Sequence, residues 1–316
     1  MIMNKSLIPI IVPVYNEKGN IEQLYHRIRQ VFEARTEEPE LIFIDDGSTD
    51  GSHEVLLVLA ESDLRVRVLS FTRNFGHQQA VSAGLKWCRG SCAVIIDADL
   101  QDPPELIPDM IEKWQADFQV VFATRSRRIG ENFIKRSTAA LFYRLMRRLS
   151  NVDIPLDTGD FRLIDRTVID LLNDMPERHR FLRGMVSWGG FRQTGILYER
   201  QKRYSGRTKY PMFRMMKFAL TGVTSFSLIP LQLASYFGFI ISTVAFLAGL
   251  YAIYLKLFTD ATIQGWTSLM IAVLFIGGVQ LITLGIIGEY IGRISDEVKQ
   301  RPPYIIRDKI NFDPQD

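Results

Sequence analysis

Short apolar runs alternate with segments of helical periodicity through the first half of the chain. The apolar runs predict buried strands at Leu7–Val12, Leu41–Ile44, Val66–Ser70, Ala93–Ile96 and Val120–Thr124. After the first run, apolar residues recur every three or four positions and predict an amphipathic helix that Asn20 caps. Strands that alternate with helices predict an α/β fold with a doubly wound, mostly parallel sheet.

Polar side chains directly follow three of these strands. Tyr15 and Glu17 follow the first strand, Asp46 the second, and Asp97 and Asp99 the fourth. Doubly wound folds bind their ligands outside the carboxyl ends of the strands, so these side chains are expected at one edge of the sheet. No predicted strand is followed by Gly-x-Gly-x-x-Gly, which argues against a nicotinamide or flavin enzyme.

Asp97, Asp99 and Gln101 form a candidate metal site. In extended backbone, side chains two residues apart point to the same side, so the two carboxylates can converge on one cation together with Gln101. Hard oxygen ligands suit Mg²⁺ or Mn²⁺ and suit zinc poorly. As an isolated pattern, Asp-x-Asp is equally compatible with an acidic loop after a strand.

Two long uncharged segments in the second half predict membrane helices. They are Phe218–Leu255, in which Pro230 marks the start of the span, and Ala261–Gly288. With 47% hydrophobic residues and a mean hydropathy of +0.03, the chain fits a soluble domain with a small membrane part. Lysine and arginine flank the outer ends of the segments, so the positive-inside rule predicts two spans with both termini and the active site in the cytoplasm. Glycines in the second segment favour close helix contacts and a homo-oligomer.

Basic residues are concentrated beside the predicted membrane part. Residues 125–148 contain eight basic residues and one acid, and residues 200–217 contain seven basic residues and no acid. The predicted helix Asn132–Leu149 interleaves basic and apolar residues, which suits an anionic membrane surface or a phosphate; a solvated face over a structural apolar stripe is the alternative. Nucleic acid is disfavoured as a partner because no aromatic stacking platform is interleaved with the charges.

Four segments carry a family resemblance: Pro13–Glu17, Asp45–Asp50, Asn74–His77 and Asp97–Glu105. Together they resemble the motifs of inverting glycosyltransferases of family two. The nearest kind is the polyprenyl-phosphate glycosyltransferases, which include dolichol-phosphate mannose synthase and the bacterial bactoprenol glucosyltransferases. The resemblance covers almost the whole chain. It implies a Rossmann-like GT-A catalytic domain, interfacial amphipathic helices and two transmembrane helices, and it alone points to a nucleotide sugar as ligand.

The resemblance also implies roles for matching residues. The residues expected to bind the nucleotide sugar are Pro13, Tyr15, Glu17, Asp46, Asp97, Ala98, Arg203 and Lys209. Asp97, Asp99 and Gln101 are expected to hold the metal on the diphosphate. The expected acceptor-phosphate residues are Arg125, Lys135 and Arg136, and the expected catalytic residues are Asp157, Asp99 and Arg125. Asp157 matches the acid of a family motif, either as general base or as a residue that orients an arginine and the acceptor; Asp160 stands where many relatives have glycine.

The implied reaction is the metal-dependent transfer of a hexose, with inversion, to the phosphate of a membrane polyprenol such as undecaprenyl phosphate. UDP-glucose is the first expectation for the donor and GDP-mannose the second. A processive polysaccharide synthase is a rival, but we find no Gln-x-x-Arg-Trp segment after the acids. A non-catalytic membrane adaptor that binds nucleotide sugars is a further alternative, which the retained acids disfavour.

Four domains are expected. Residues 1–165 form the catalytic core with the basic acceptor-side helix, and residues 166–229 complete the catalytic domain and add interfacial helices. Residues 230–291 form the transmembrane hairpin, and residues 292–316 form a cytoplasmic tail. The N-terminal segment reaches Pro9 too soon for a signal-peptide core, so no cleaved targeting segment is expected.

Overall fold

The computed structural model describes residues 7–125, 158–178, 180–198, 229–258 and 265–313. The chain divides into two compact units. The described residues up to 198, together with 302–313, belong to the first unit, and residues 229–258 and 265–301 belong to the second. The basic helix predicted at Asn132–Leu149 lies outside the described residues.

A mixed sheet forms the centre of the first unit. Its strands in the described chain are β1 (Leu7–Val14), β2 (Glu38–Asp45), β3 (Val66–Phe71), β4 (Cys92–Ile95), β5 (Val120–Arg125), β6 (Thr158–Asp165), β7 (Gln193–Tyr198) and β8 (Ile306–Ile310). Their order across the sheet is β7-β5-β6-β4-β1-β2-β3-β8. All five strands predicted from apolar runs are confirmed, with ends that differ by up to three residues.

The sheet is parallel at its centre and antiparallel towards both sides. β1 pairs in parallel with β2 and β4, β2 pairs in parallel with β3, and β5 pairs in parallel with β7. β6 runs antiparallel to both β4 and β5, and β8 runs antiparallel to β3. The expectation of a mostly parallel sheet is confirmed, because all five predicted strands run in the same direction. The antiparallel strands β6 and β8 were not expected.

Six helices of the first unit are described, and several cover the sheet with apolar faces. They are α1 (Ile21–Glu33), α2 (Ser52–Ser62), α3 (His77–Trp87), α4 (Ile107–Gln115), α5 (Arg166–Asp174) and α6 (Leu182–Trp188). The predicted apolar stripe of α1 is confirmed, since its buried residues repeat at helical spacing. In α3, Gly84 lies so close to β1 that a Cβ there would come within 2.3 Å of Ile11 Cγ2.

The segment predicted as a C-terminal tail contributes to the first unit. β8 pairs with β3, and Tyr304, just before β8, stacks on Phe71 with ring centroids 5.0 Å apart. Just after β8, the Asn311 amide donates to two carbonyl oxygens, those of Ala60 and Val66, at 2.8 Å each. The expectation of a tail is corrected here. β8 is a five-residue edge strand that contains three charged residues, so its apolar signal is weak.

The described part of the second unit consists of two long helices that contact each other, α7 (Ile229–Phe258) and α8 (Trp266–Val298). Pro230 lies in the first turn of α7, a position that tolerates proline. Both helices expose large apolar side chains, such as Phe239 and Leu281. Among the described residues one helical stretch, Phe275–Val298, is long and apolar enough to cross a membrane. α8 continues past the predicted domain boundary at residue 291.

Candidate active site

A cavity of about 590 Å³ opens at the carboxyl ends of β1, β2 and β4. Its lining residues are Pro13, Val14, Tyr15, Asn16, Glu17, Asp46, Asn74, Gly76, His77, Ala80, Asp97, Ala98 and Asp99. The residues after three predicted strands therefore meet at one place, as the doubly wound topology requires.

The loops that follow β1 and β2 hold each other through side chains. The backbone N–H groups of Asn16 and Glu17 donate to the hydroxyl oxygens of Ser48 and Ser52, each at 3.0 Å. In return, the backbone N–H of Thr49 donates to the Asn16 side-chain oxygen at 2.8 Å. These bonds fix the backbone on both sides of the Glu17 peptide, so the polar residues after β2 position the residues after β1.

Glu17 is also held from the helix that follows it. Asn20 was expected to cap α1, but its side chain makes no capping bond there. Its amide instead donates to the Glu17 carboxylate at 2.6 Å. Asn20 occupies the N-cap position of α1, as predicted, but a side-chain cap would need its amide oxygen as acceptor, and that oxygen makes no hydrogen bond.

Asp46 anchors the loop between β3 and α3. Its carboxylate accepts hydrogen bonds from the backbone N–H groups of Phe75 at 2.7 Å and Gly76 at 3.0 Å, and from the Asn74 amide at 3.0 Å. Burial raises the pKa of Asp46 above its usual value, although the two backbone donors oppose the rise. Both oxygens are thus engaged with the loop that forms one wall of the cavity. Sequence reasoning assigned Asp46 to the nucleotide and missed this contact.

Asp97 and Asp99 reach the cavity from a turn. β4 ends at Ile95 and Asp99 lies in a turn, so the two acids do not continue the strand on which their convergence was predicted. Leu100 has a left-handed backbone with φ of 58°, and the backbone N–H of Gln101 donates to Asp99 Oδ1 at 3.2 Å. Gln101 is not part of the described cavity lining. The expectation that its side chain joins the two carboxylates stays a prediction.

The chemistry of these acids fits a divalent cation that arrives with phosphate ligands. Among the described residues no group of three His, Cys, Asp or Glu side chains is arranged to hold a metal. Two carboxylates are nevertheless sufficient protein ligands for Mg²⁺ when substrate phosphates supply the rest. Burial, with the nearby carboxylates of Asp160, Asp102 and Asp99 adding to it, raises the pKa of Asp97 to about 6, against the opposing effect of His77. A cation would relieve this crowding of negative charge.

His77 lines the cavity and Asp160 stands behind it, and neither was predicted as a site residue. His77 Nε2 lies 3.3 Å from Asp160 Oδ2 and 3.7 Å from Asp97 Oδ1. Burial lowers the pKa of His77, but the Asp97 and Asp160 carboxylates outweigh it and raise the pKa to about 9. The antiparallel register places Arg162 opposite Ile95, so Asp160 lies beside the end of β4 where Asp97 follows. This contact depends on β6 running antiparallel beside β4, and no local sequence pattern indicates that pairing.

Several predicted residues lie where the structure gives no account of them. Asp157, Lys135, Arg136, Arg203 and Lys209 lie outside the described residues. The backbone of Arg125 ends β5 opposite Tyr198, but its side chain is not described. The roles of these six residues stay predictions.

The α/β fold, with acids at the carboxyl ends of its parallel strands, is GT-A-like, and the match to a family of known enzymes shows its class. The family model described as "Glycosyl transferase family 2" matches residues 10–172, just over half of the chain. A second model, described as "GtrB C-terminal hairpin", matches residues 230–294, which include most of α7 and α8. The chain belongs to glycosyltransferase family 2, carries a C-terminal hairpin of the GtrB type, and is an enzyme of the glycosyltransferase class.

Similar proteins cover nearly the whole chain. The glycosyltransferase YkcC of Bacillus subtilis (strain 168) is 51% identical over 298 residues, which span 94% of this chain and 92% of that protein. The SfII prophage-derived bactoprenol glucosyl transferase of Shigella flexneri is 43% identical over 300 residues, or 95% of this chain and 97% of that protein. Among solved structures, mannosyl-3-phosphoglycerate synthase from Rubrobacter xylanophilus is 18% identical with a TM-score of 0.49, over 70% of this chain and 72% of that chain. At this identity and TM-score, the structural similarity does not indicate which ligands the chain binds.

Proposed function

We propose that this glycosyltransferase moves a hexose from a nucleotide diphosphate sugar to the phosphate of a membrane polyprenol, with inversion, at the cytoplasmic face of the membrane. UDP-glucose is the first candidate donor and GDP-mannose the second. The observation that carries the proposal is the cavity that gathers Tyr15, Asp97 and Asp99. Near full-length similarity to proteins named bactoprenol glucosyl transferase supports undecaprenyl phosphate as the acceptor.

The part of the cavity beside β1 is suited to the nucleoside. Tyr15 is 39% exposed and presents an aromatic surface on which a base can stack. Pro13 and Glu17 flank it, and Asp46 holds the opposite wall through the loop before α3. We assign these four residues to the base and ribose.

Asp97, Asp99 and Gln101 are assigned to Mg²⁺ or Mn²⁺ on the donor diphosphate. Ala98, between the two acids, is assigned to the donor. When bound, the ion supplies Lewis-acid neutralisation of the charge that develops on the departing diphosphate. Asp99 is almost fully buried and is fixed by the Gln101 backbone N–H, so its carboxylate is held in place before the donor enters. Arg203 and Lys209 are assigned to the remaining phosphate charge.

The acceptor needs little help to act as a nucleophile. A phosphate monoester has a second pKa of about 6, so it is already an anion at neutral pH. Asp157 is therefore assigned to orient the acceptor rather than to remove a proton. A pH–rate comparison of Asp157→Asn with the parent tests this assignment, because loss of a base-dependent limb in the variant would contradict it.

Arg125, Lys135 and Arg136 are assigned to the acceptor phosphate, since charge-assisted bonds from basic side chains are the strong contacts to such groups. Arg125→Ala is expected to raise the KM for the polyprenyl phosphate more than the KM for the donor. The opposite pattern would reject the assignment.

We assign α7 and α8 to a two-span hairpin that leaves both termini in the cytoplasm. The match to a C-terminal hairpin model and the exposed apolar side chains of both helices support this assignment. Glycines of α8 support close helix contacts in a homo-oligomer. The topology is tested with single cysteine substitutions in the connection between α7 and α8 and near the C-terminus, labelled from outside intact cells. Labelling is expected at the connection and not near the C-terminus.

A donor panel tests the reaction. The purified full chain is incubated with undecaprenyl phosphate, Mn²⁺ or Mg²⁺, and radiolabelled UDP- and GDP-sugars, and the organic phase is counted. One donor is expected to give a mild-acid-labile glycolipid that chelation abolishes. A lipid product that is formed equally well in excess chelator would contradict the role of Asp97 and Asp99, and no lipid product from any donor would contradict the proposed acceptor.

A further inference from the structure

Four charged side chains from four parts of the chain form a row at the cavity wall. Arg183 of α6 donates from Nε to Asp160 Oδ1 at 2.8 Å. Asp160 Oδ2 lies 3.3 Å from His77 Nε2, and His77 Nε2 lies 3.7 Å from Asp97 Oδ1. We call these four residues the charge row. Only Asp97 and His77 line the cavity, so Asp160 and Arg183 stand behind them.

The charge row is not explained by stability alone. Its side chains are largely withdrawn from water, with 19% of Asp160, 24% of Arg183 and 27% of His77 exposed. Desolvating several charges costs free energy that their mutual attraction does not reliably return, and apolar side chains of similar volume often stabilise as well. Such groups are more typical of a functional site than of an ordinary wall.

The charges alternate along the row and end at Asp97. Burial raises the pKa of Asp160, but Arg183 and His77 outweigh it and hold that pKa well below its usual range, so Asp160 is an anion. Arg162 adds a further cation 3.8 Å from Asp160. Nε2 of His77 therefore faces two carboxylates, the anchored Asp160 at 3.3 Å and Asp97 at 3.7 Å. A shift of the Asp160 carboxylate would therefore move His77, the cation that lies beside Asp97.

We propose that Asp160 and Arg183 are positioning residues of the donor site, which hold His77 against Asp97 and thereby fix the Asp97 carboxylate for the divalent cation and the donor diphosphate. This inference rests on the proposed function. Residues that orient a metal ligand through a hydrogen bond or ion pair commonly change metal affinity by about 10- to 100-fold when they are replaced. Neither residue is assigned to the substrate.

The experiment measures metal-dependent nucleotide binding without turnover. Affinity for UDP is determined by calorimetry on the purified full chain, with and without Mn²⁺. The ratio of the two dissociation constants reports the coupling between the cation and the diphosphate. Asp160→Asn and Arg183→Gln are expected to reduce this ratio by about tenfold and to leave the affinity for UDP without metal unchanged.

Two further variants separate positioning from general damage. Asp170→Asn removes an exposed carboxylate that pairs with Arg166 on α5, and it is expected to keep the full ratio. Arg183→Lys keeps the cation beside Asp160 and is expected to recover most of the ratio lost in Arg183→Gln. Melting temperatures of all variants show that each compared protein is folded.

The outcomes separate failure of the proposed donor site from failure of the positioning role of Asp160 and Arg183. If the parent binds UDP no more tightly with Mn²⁺ than without it, the proposed metal-dependent donor site is contradicted, and the inference with it. If the parent shows the coupling and both Asp160→Asn and Arg183→Gln retain it in full, the inference alone is overturned. Equal loss of the coupling in Asp170→Asn would likewise overturn it.

Discussion

The Tyr198 hydroxyl, at the end of β7, donates a hydrogen bond to the carboxylate of Asp102. Both side chains are buried. Asp102 follows Asp99 by three residues, and Tyr198 precedes Arg203 by five. The bond therefore joins the acidic turn of the cavity to the strand that leads into the basic segment assigned to the donor.

Tyr198→Phe is expected to lower the free energy of unfolding by about 1.5–3 kcal/mol, because a hydrogen bond to a charged group is lost. It is also expected to raise the KM for the donor, since the turn that carries Asp99 loses a fixed point. Tyr25→Phe is the matched control, because Tyr25 donates to Asp63 at 2.9 Å and neither residue lines the cavity. An equal change of donor KM in the two variants would contradict a link between Tyr198 and the site.

Asp46→Asn tests the loop anchor beside the nucleoside. The carboxylate receives three donors on two oxygens, whereas an amide has one oxygen and adds two donors of its own. We expect weaker UDP binding and a loss of about 1–3 kcal/mol of stability, measured by calorimetry and by chemical unfolding. Asn74→Ala removes one of the three bonds and is expected to have a smaller effect on both quantities. Equal effects would show that the two backbone bonds do not matter.

Gly84→Ala tests the close approach of α3 to the sheet. The added Cβ would lie 2.3 Å from Ile11 Cγ2 and 2.9 Å from Ile44 Cδ1, and both partners belong to central strands that cannot easily move. Overpacking of this kind costs about 1–3 kcal/mol. Lys86→Ala, on the exposed side of the same helix, is expected to change stability by less than about 0.5 kcal/mol. Thermal unfolding followed by circular dichroism compares the two, and equal melting temperatures would contradict the predicted clash.

The pH dependence of stability tests the environment of His77 in chelator-treated protein. The folded-state pKa of about 9 lies above the ordinary value of 6.5, so the folded chain binds this proton more tightly than the unfolded chain. Its contribution is full below pH 6.5 and disappears as pH rises through about 9. Asp97 and Asp160 favour the charged form and Arg183 opposes it.

The measurement compares the melting temperatures of the parent and His77→Gln from pH 6 to pH 10. The gap in favour of the parent is expected to be largest at the acidic end and to close above about pH 9. His26→Gln, at an exposed position on α1, controls for the change of residue type. A gap that stays constant across the range would contradict the ion pairs of His77.

Much of the fold follows from the sequence because buried parallel strands appear as continuous apolar runs. β1, β2 and β4 have such runs, and each is followed by the polar residues that line the cavity. Since parallel strands present their carboxyl ends at one edge of a sheet, the sequence alone predicts that Tyr15, Asp46 and Asp97 lie close together.

The parts that were missed depend on long-range pairing. β6 and β8 run antiparallel, and no local pattern shows which strand each will join. The contact between His77 and Asp160 depends on the register of β6 against β4, so it is invisible in the sequence. The turn after Ile95 was also missed, because an apolar run followed by acids does not reveal where the extended backbone ends.

Transfer of a hexose to a lipid phosphate requires the lipid, so acceptor dependence is the decisive measurement. Radiolabelled UDP-glucose and Mn²⁺ are supplied to the purified chain with or without undecaprenyl phosphate, and label in the organic phase is measured over time. Label is expected in the organic phase only when the lipid is present. It is expected to be lost in Asp99→Asn and fully retained in Asp117→Asn, which removes an exposed carboxylate away from the cavity. Free glucose released at the same rate without the lipid, and no labelled lipid when it is present, would contradict the account.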